Sequence, residues 1–94
     1  MATKRFTFIS DPGHGWLKVS RADLIAAGVD LLISRYSYQR GDTVWLEEDC
    51  DAGIFLTALT NAGKEFKIAE KHGNRQSTIR SLERYDPMHC HNVY

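Results

Sequence analysis

The chain has 94 residues, 43% hydrophobic and 26% charged, the size and make-up of one globular domain with no room for a second core. Twelve Lys and Arg offset twelve Asp and Glu, so no net field steers it toward nucleic acid or membrane, and any electrostatic role must come from how the charges are distributed. No apolar run approaches the ~20 residues that span a bilayer, and Met1 to Arg5 lead into a strand-like run without a signal-peptide core, so no membrane partner is expected and the expected location is the cytoplasm.

Arg5 to Ser10 alternates, with Phe6 and Phe8 on one face, which predicts a half-buried strand. The most distinctive stretch comes next: Ser10-Asp11-Pro12-Gly13-His14-Gly15-Trp16-Leu17-Lys18-Val19. Pro12 presets φ at the first central position of a turn, and Gly13 is expected to supply a positive φ at the second, as in a type II turn. Residues 5–19 therefore read as a β-hairpin with His14 exposed and mobile at its tip. Ser20 is a suitable N-cap, with Asp23 three residues on, for a helix over 21–28 that Gly28 ends. Residues 29–39 alternate imperfectly and are a weak strand candidate, whereas residues 43–48 are a cleaner strand rich in β-formers. Asp49-Cys50-Asp51 is expected to cap a helix over 52–62, with Phe55 and Leu59 among the most buried residues and Gly63 ending it. Residues 65–70 alternate strictly, with Phe66 and Ile68 inward, and His72-Gly73-Asn74 turns the chain. Gln76 to Tyr85 fits both a two-residue and a helical period; its hydroxyl and β-branched residues favour a strand. The sum is an α+β fold, a small single-domain sandwich in β-β-α-β-α-β-β order, in which one antiparallel or mixed sheet carries two helices on one face. The domain is expected to span residues 1–85, with 86–94 a loosely ordered tail.

Four constellations carry chemistry. At the hairpin corner, Asp11, His14 and Trp16 place an exposed imidazole suited to act as a base or a ligand, although Gly13 and Gly15 also serve simply to turn the chain. The segment from His72 to Tyr85 holds His72, Arg75, Arg80 and Arg84; as a strand it puts Thr78, Arg80, Leu82 and Arg84 on one face, two guanidinium forks suited to phosphate or carboxylate groups. The acidic run Glu47, Glu48, Asp49 and Asp51 suits a helix N-terminus and offers oxygen ligands to a cation or an acidic surface to a basic protein, with no EF-hand pattern. His89-Cys90-His91 supplies donors that adjacent residues alone cannot arrange as a tetrahedral site, and Cys50 and Cys90 are expected as reduced thiols, so no metal and no cofactor are expected. Tyr36 and Tyr38, in Tyr-Ser-Tyr-Gln-Arg-Gly, have the composition of an interface.

In the order of its blocks the chain resembles a family of small uncharacterised proteins of bacteriophages, prophages and plasmids. The resemblance rests on residues 8–17, on Ser37-Tyr38-Gln39 with Leu46-Glu47-Glu48-Asp49-Cys50-Asp51, and on Ile79-Arg80-Ser81, over most of residues 6–85. It implies a mobile-element setting and carries no catalytic residues. The leading expectation is a non-enzymatic binding protein, an inhibitor of a host protein or defence system, using Tyr36, Tyr38 and the acidic run or the arginines. The alternative is a binder of nucleic acid, a nucleotide or another anionic ligand through the arginine-rich C-terminal strand, with His14 and His72 assisting. A homodimer is open, and a hydrolase built on His14, Asp11 and an acid-held metal is the least favoured class.

Overall fold

The structure, a computed structural model, describes residues 3–74 and 78–88. A hairpin opens the chain: β1 (Lys4–Ser10) pairs antiparallel with β2 (Gly15–Ser20). Ser20 then caps α1 (Arg21–Ala27) through a complete capping box, its hydroxyl accepting the Asp23 amide while the Asp23 carboxylate accepts the Ser20 amide. Gly28, at φ 73°, ends the helix in the left-handed region. β3 (Tyr38–Arg40) and β4 (Thr43–Glu47) form a second hairpin, α2 (Asp51–Asn61) comes after it, and β5 (Phe66–His72) returns parallel to β1. A 3₁₀ turn (Thr78–Ser81) leads to the two-residue β6 (Glu83–Arg84). The mixed sheet has the order β5-β1-β2-β4-β3-β6, so the fold is α+β with one six-stranded sheet and two helices.

Both helices cover one face. Phe6, Leu17, Val19, Val44 and Leu46 of the sheet meet Leu24 of α1 and Ala52 and Phe55 of α2, with the Phe6 and Phe55 rings edge-to-face at 5.2 Å. Among the described residues no helix is long and apolar enough to cross a membrane.

Several expectations are corrected. Residues 29–37 form no strand: they are a loop clamped by Asp51, whose fully buried Oδ2 accepts from the Ser34 amide (3.1 Å), the Ser34 hydroxyl (2.7 Å) and the Ser37 hydroxyl (2.5 Å). Val29, Ile33 and Ser37 are buried, while Leu31, Leu32 and Tyr36 stay exposed, a spacing set by the loop and not by a strand period. The expected strand over 76–85 shrinks to β6. The 3₁₀ turn is closed by the Ser81 hydroxyl donating to the Thr78 carbonyl, and Ile79 is buried on it. Leu59 is only half-buried, because the chain leaves a groove of about 620 Å³ between α1 and α2 beside it. Ile68 faces inward but is 39% exposed, since β5 is an edge strand.

A polar layer ties β6 and the residues after it to the sheet. The Gln39 Oε1, on the helix side, accepts from Arg21 at 2.7 Å and from the Asp86 amide at 2.9 Å. Tyr85 is 1% exposed and donates its hydroxyl to the Asp30 carbonyl at 2.6 Å; burial holds its phenol above the ordinary 10.0, against the pull of Arg21 stacked on the ring. Arg84 is thereby delivered beside Tyr38, its register partner.

Candidate functional site

The uncovered face of the sheet begins, at one end, in a cleft of about 450 Å³. Its lining gathers His14, Tyr36, Tyr38, Glu47, Asp49, Arg80 and Arg84, the greater part of the residues singled out in the sequence, together with Trp16 and Cys50. Residues from the first hairpin, the loop before β3, the β4–α2 junction and the C-terminal turn converge there because β2, β4, β3 and β6 are successive neighbours in the sheet.

Trp16 is the floor. It projects from β2 away from the helices, yet is only 2% exposed. The His14 ring stacks beside it at 6.0 Å and 18°, Tyr38 meets it edge-on at 6.4 Å, and the Arg80 guanidinium lies 5.8 Å from its ring centre. Arg84 lies 4.8 Å over the Tyr38 ring. Five planar groups thus surround one opening.

Asp11 holds this arrangement. Its Oδ1 accepts the amides of Gly13 (2.9 Å) and His14 (2.8 Å), and the same carboxylate takes both Nε (3.2 Å) and Nη2 (3.0 Å) of Arg80. The pair is a fork on a carboxylate that is 5% exposed. Arg80 Nη2 also meets His14 Nδ1 at 2.8 Å; a guanidinium can only donate, so Nδ1 accepts and the imidazole proton sits on Nε2. The exposed histidine is therefore held in place by Trp16 and Arg80, where a mobile tip had been expected.

The turn itself differs from the expected type. Positive φ occurs at Gly28, Gly41 and Gly63, and Gly13 is not among them, because the Asp11 carboxylate closes the turn by gathering two amides. The demanding glycine is Gly15, which faces the helix side: a Cβ there would lie 2.4 Å from Cζ of Phe8. Gly15→Ala is expected to cost about 1–3 kcal/mol through forced displacement of that ring. Gly13→Ala, whose Cβ would meet Arg80 Nη2 at 3.0 Å and Asp11 Oδ1 at 3.8 Å, asks the guanidinium to give by only a few tenths of an ångström and should cost less. Urea unfolding of the two variants side by side checks the order.

On the opposite wall, Glu47 does the capping expected of Asp49-Cys50-Asp51. Its Oε2 accepts the Asp49 amide (2.9 Å), and its Oε1 those of Cys50 (2.6 Å) and Asp51 (3.0 Å), while Cys50, the N-cap residue, makes no side-chain cap bond. Glu47, Cys50 and Asp51 bring donor atoms within 4.8 Å of one another, yet both Glu47 oxygens are already committed to backbone amides. Cys50 is a free, exposed thiol.

Not every sequence candidate converges. His72 lies on the helix side of β5, its Nδ1 2.9 Å from the Ser10 hydroxyl, and Glu48 pairs through its amide with the Gly15 carbonyl outside the cleft lining. Thr78, Arg80, Leu82 and Arg84 do not share a strand face, because Arg80 lies in the 3₁₀ turn and Arg84 in β6, so the arginines reach the cleft from different elements. Arg75, Cys90 and the His89-Cys90-His91 cluster lie outside the described residues. Trp16, grouped with Asp11 and His14 at the hairpin corner in the sequence, pairs in register with Ile9 and Glu47, which places it on the face away from the helices. No protein-family model, no curated protein and no solved structure matches this chain, so the site rests on its own geometry.

Proposed function

We propose that this is a binding protein whose cleft takes a nucleobase, presented by a nucleotide or by a nucleic-acid chain. The observation that carries the reading is the set of planar groups around one opening: His14, Tyr38 and the Arg80 and Arg84 guanidinium planes over the buried Trp16 floor, with the exposed Tyr36 at the rim. A flat heterocycle stacks on aromatic and guanidinium faces without regard to sequence. Its edge carries amine and imino donors, which the exposed Asp49 carboxylate can accept. The volume lies in the usual range of small-molecule sites, about 300–1,000 Å³.

Binding is favoured over catalysis by how the reactive groups are occupied. Asp11 serves the turn and Arg80, His14 Nδ1 faces Arg80, and Glu47 is spent on α2. Ser10 and His72 pair a hydroxyl with an imidazole, but on the helix side of the sheet and outside the cleft; among the described cleft-lining residues no nucleophile is hydrogen-bonded to a base, the pairing that acyl or phosphoryl chemistry needs.

Calorimetric titration with the four common nucleoside monophosphates at low salt tests this. Saturable binding is expected, weakened by about tenfold or more on Arg84→Ala or Tyr36→Ala, since a stacked base is worth about 1–3 kcal/mol. No heat at millimolar nucleotide would overturn the reading.

A second reading, docking on a host protein as the resemblance to mobile-element proteins suggests, has one observation of its own. Leu31, Leu32 and Tyr36 are 69%, 61% and 73% exposed on the single loop ahead of β3. Cross-linking in the producing cell should then map to that loop and be lost on Leu31→Ser with Leu32→Ser; cross-links elsewhere would remove this reading.

A further inference from the structure

The face of the sheet that α1 and α2 leave open carries a charge pattern that the zero net charge hides. Strand register and alternation put Arg5, Lys18, Arg40, Lys67, Lys71 and Arg84 on that face, every one exposed. The acidic partner among the described strand residues of that face is Glu47, whose carboxylate is turned onto the α2 amides. Neither salt bridge found among the described residues involves any of the six, and both lie elsewhere, at Lys4–Asp23 and Arg80–Asp11.

Two features of this face work against folding. Arg5 stands directly opposite Lys67 across the β1–β5 ladder, a like-charge pair that destabilises a sheet. Trp45 sits half-buried in the middle row, between Lys18 on β2 and Tyr38 on β3, and among the described residues no ring or guanidinium stacks on it. Beyond Tyr38 the row ends in Arg84. A central indole with Lys18 on one side and Tyr38 then Arg84 on the other, on a face that neither helix covers, is complementary to a chain of alternating flat rings and negative charges.

We propose that this face binds the backbone of a single-stranded nucleic acid, one of whose bases enters the cleft. The inference rests on the nucleobase reading of the cleft, which opens on the same face at the row of Trp16 and Glu47. Phosphates lie along Lys18, Arg5 with Lys67, and Arg84, while an unpaired base stacks on Trp45. Base pairing would withhold the ring faces that Trp45 needs, and both described helices, the elements that could enter a duplex groove, lie on the other face, so the ligand is a single strand. The row crosses six strands, about 24 Å between the outer two at about 4.8 Å per step, which suits a footprint near the lower end of the roughly 4–16 nucleotides usual for such surfaces.

The test is fluorescence anisotropy with labelled oligothymidylates of four, eight and twelve residues, a matched DNA duplex, and poly-glutamate as competitor. It is run on the full chain and on Lys18→Gln with Lys67→Gln, with uridine monophosphate titrated in parallel. Both lysines are exposed and Lys67→Gln removes the repulsion from Arg5, so the variant is expected to melt at or slightly above the parent, and circular dichroism checks this. The expected result is tighter binding of eight or twelve residues than of four. The double variant should lose about tenfold or more for the oligomers, with the slope of log K against log salt reduced by about 1.4, and keep mononucleotide affinity. Trp45→Leu should weaken the oligomer while leaving the salt slope in place. Mononucleotide binding without any gain from length, or equal binding of duplex, or full displacement by poly-glutamate, would overturn the proposal while leaving the cleft reading intact. Failure of both mononucleotide and oligomer to bind at low salt would overturn both.

Discussion

Truncating Phe55 to alanine should lower the unfolding free energy by about 3–5 kcal/mol. Its ring is fully buried and anchors α2 to the sheet, meeting Phe6 edge-on at 5.2 Å, with Leu24 and Leu17 in the same cluster. The groove between the helices runs alongside, so the emptied space adjoins a region the neighbours do not fill. Incomplete collapse adds a cavity penalty to the lost transfer energy, which places the cost in the upper part of that range. For a domain of ordinary stability, about 5–15 kcal/mol, this is a large fraction. Urea midpoints measured at constant slope check it, and a loss below about 1 kcal/mol would show that α2 turns another face to the sheet.

Asp51→Ala is the second large effect, expected at about 3 kcal/mol. One carboxylate oxygen gathers two hydroxyls and an amide from the loop ahead of β3, and the Ser37 hydroxyl in turn accepts the Glu47 amide. Removing the acceptor strands these donors in a site where Ser37 is fully buried. The consequence reaches the cleft, because the same loop carries Tyr36 and leads into Tyr38. Asp51→Asn keeps the shape and one acceptor oxygen and should lose less. Equal losses for the two variants would show that the charge, rather than the hydrogen-bond geometry, holds the loop.

Local devices were legible in the sequence wherever one residue decides the outcome. Ser20 and Asp23 form the box their spacing predicts, Gly28 takes the left-handed cap, and the alternation of Phe6 and Phe8 gives β1 its buried face. Features decided by distant partners were not legible. Pro12-Gly13 has the signature of a type II turn, but Asp11, by accepting two amides, selects a turn in which Gly13 needs no positive φ. Ser34 and Ser37 have no strand or helix period because their conformation is dictated by Asp51, fourteen residues or more away.

The cleft was half legible. His14, Tyr36, Tyr38, Glu47, Asp49, Arg80 and Arg84 stood out as residue types, with Trp16 beside His14 at the hairpin corner, but their convergence depends on the order of the strands. The basic face was wholly illegible, since its six cations come from five strands and only the registers bring them to one side. A net charge of zero concealed a segregated one.

The two tryptophans make the central claim directly measurable, because one lies in the cleft and the other on the open face. In proton–nitrogen spectra each gives a single indole signal, assigned by substitution. Titration with a mononucleotide at low salt is expected to move the Trp16 signal and leave Trp45 in place, and a single-stranded oligomer should move both. Two indole signals that stay fixed with either ligand at millimolar concentration would contradict the account.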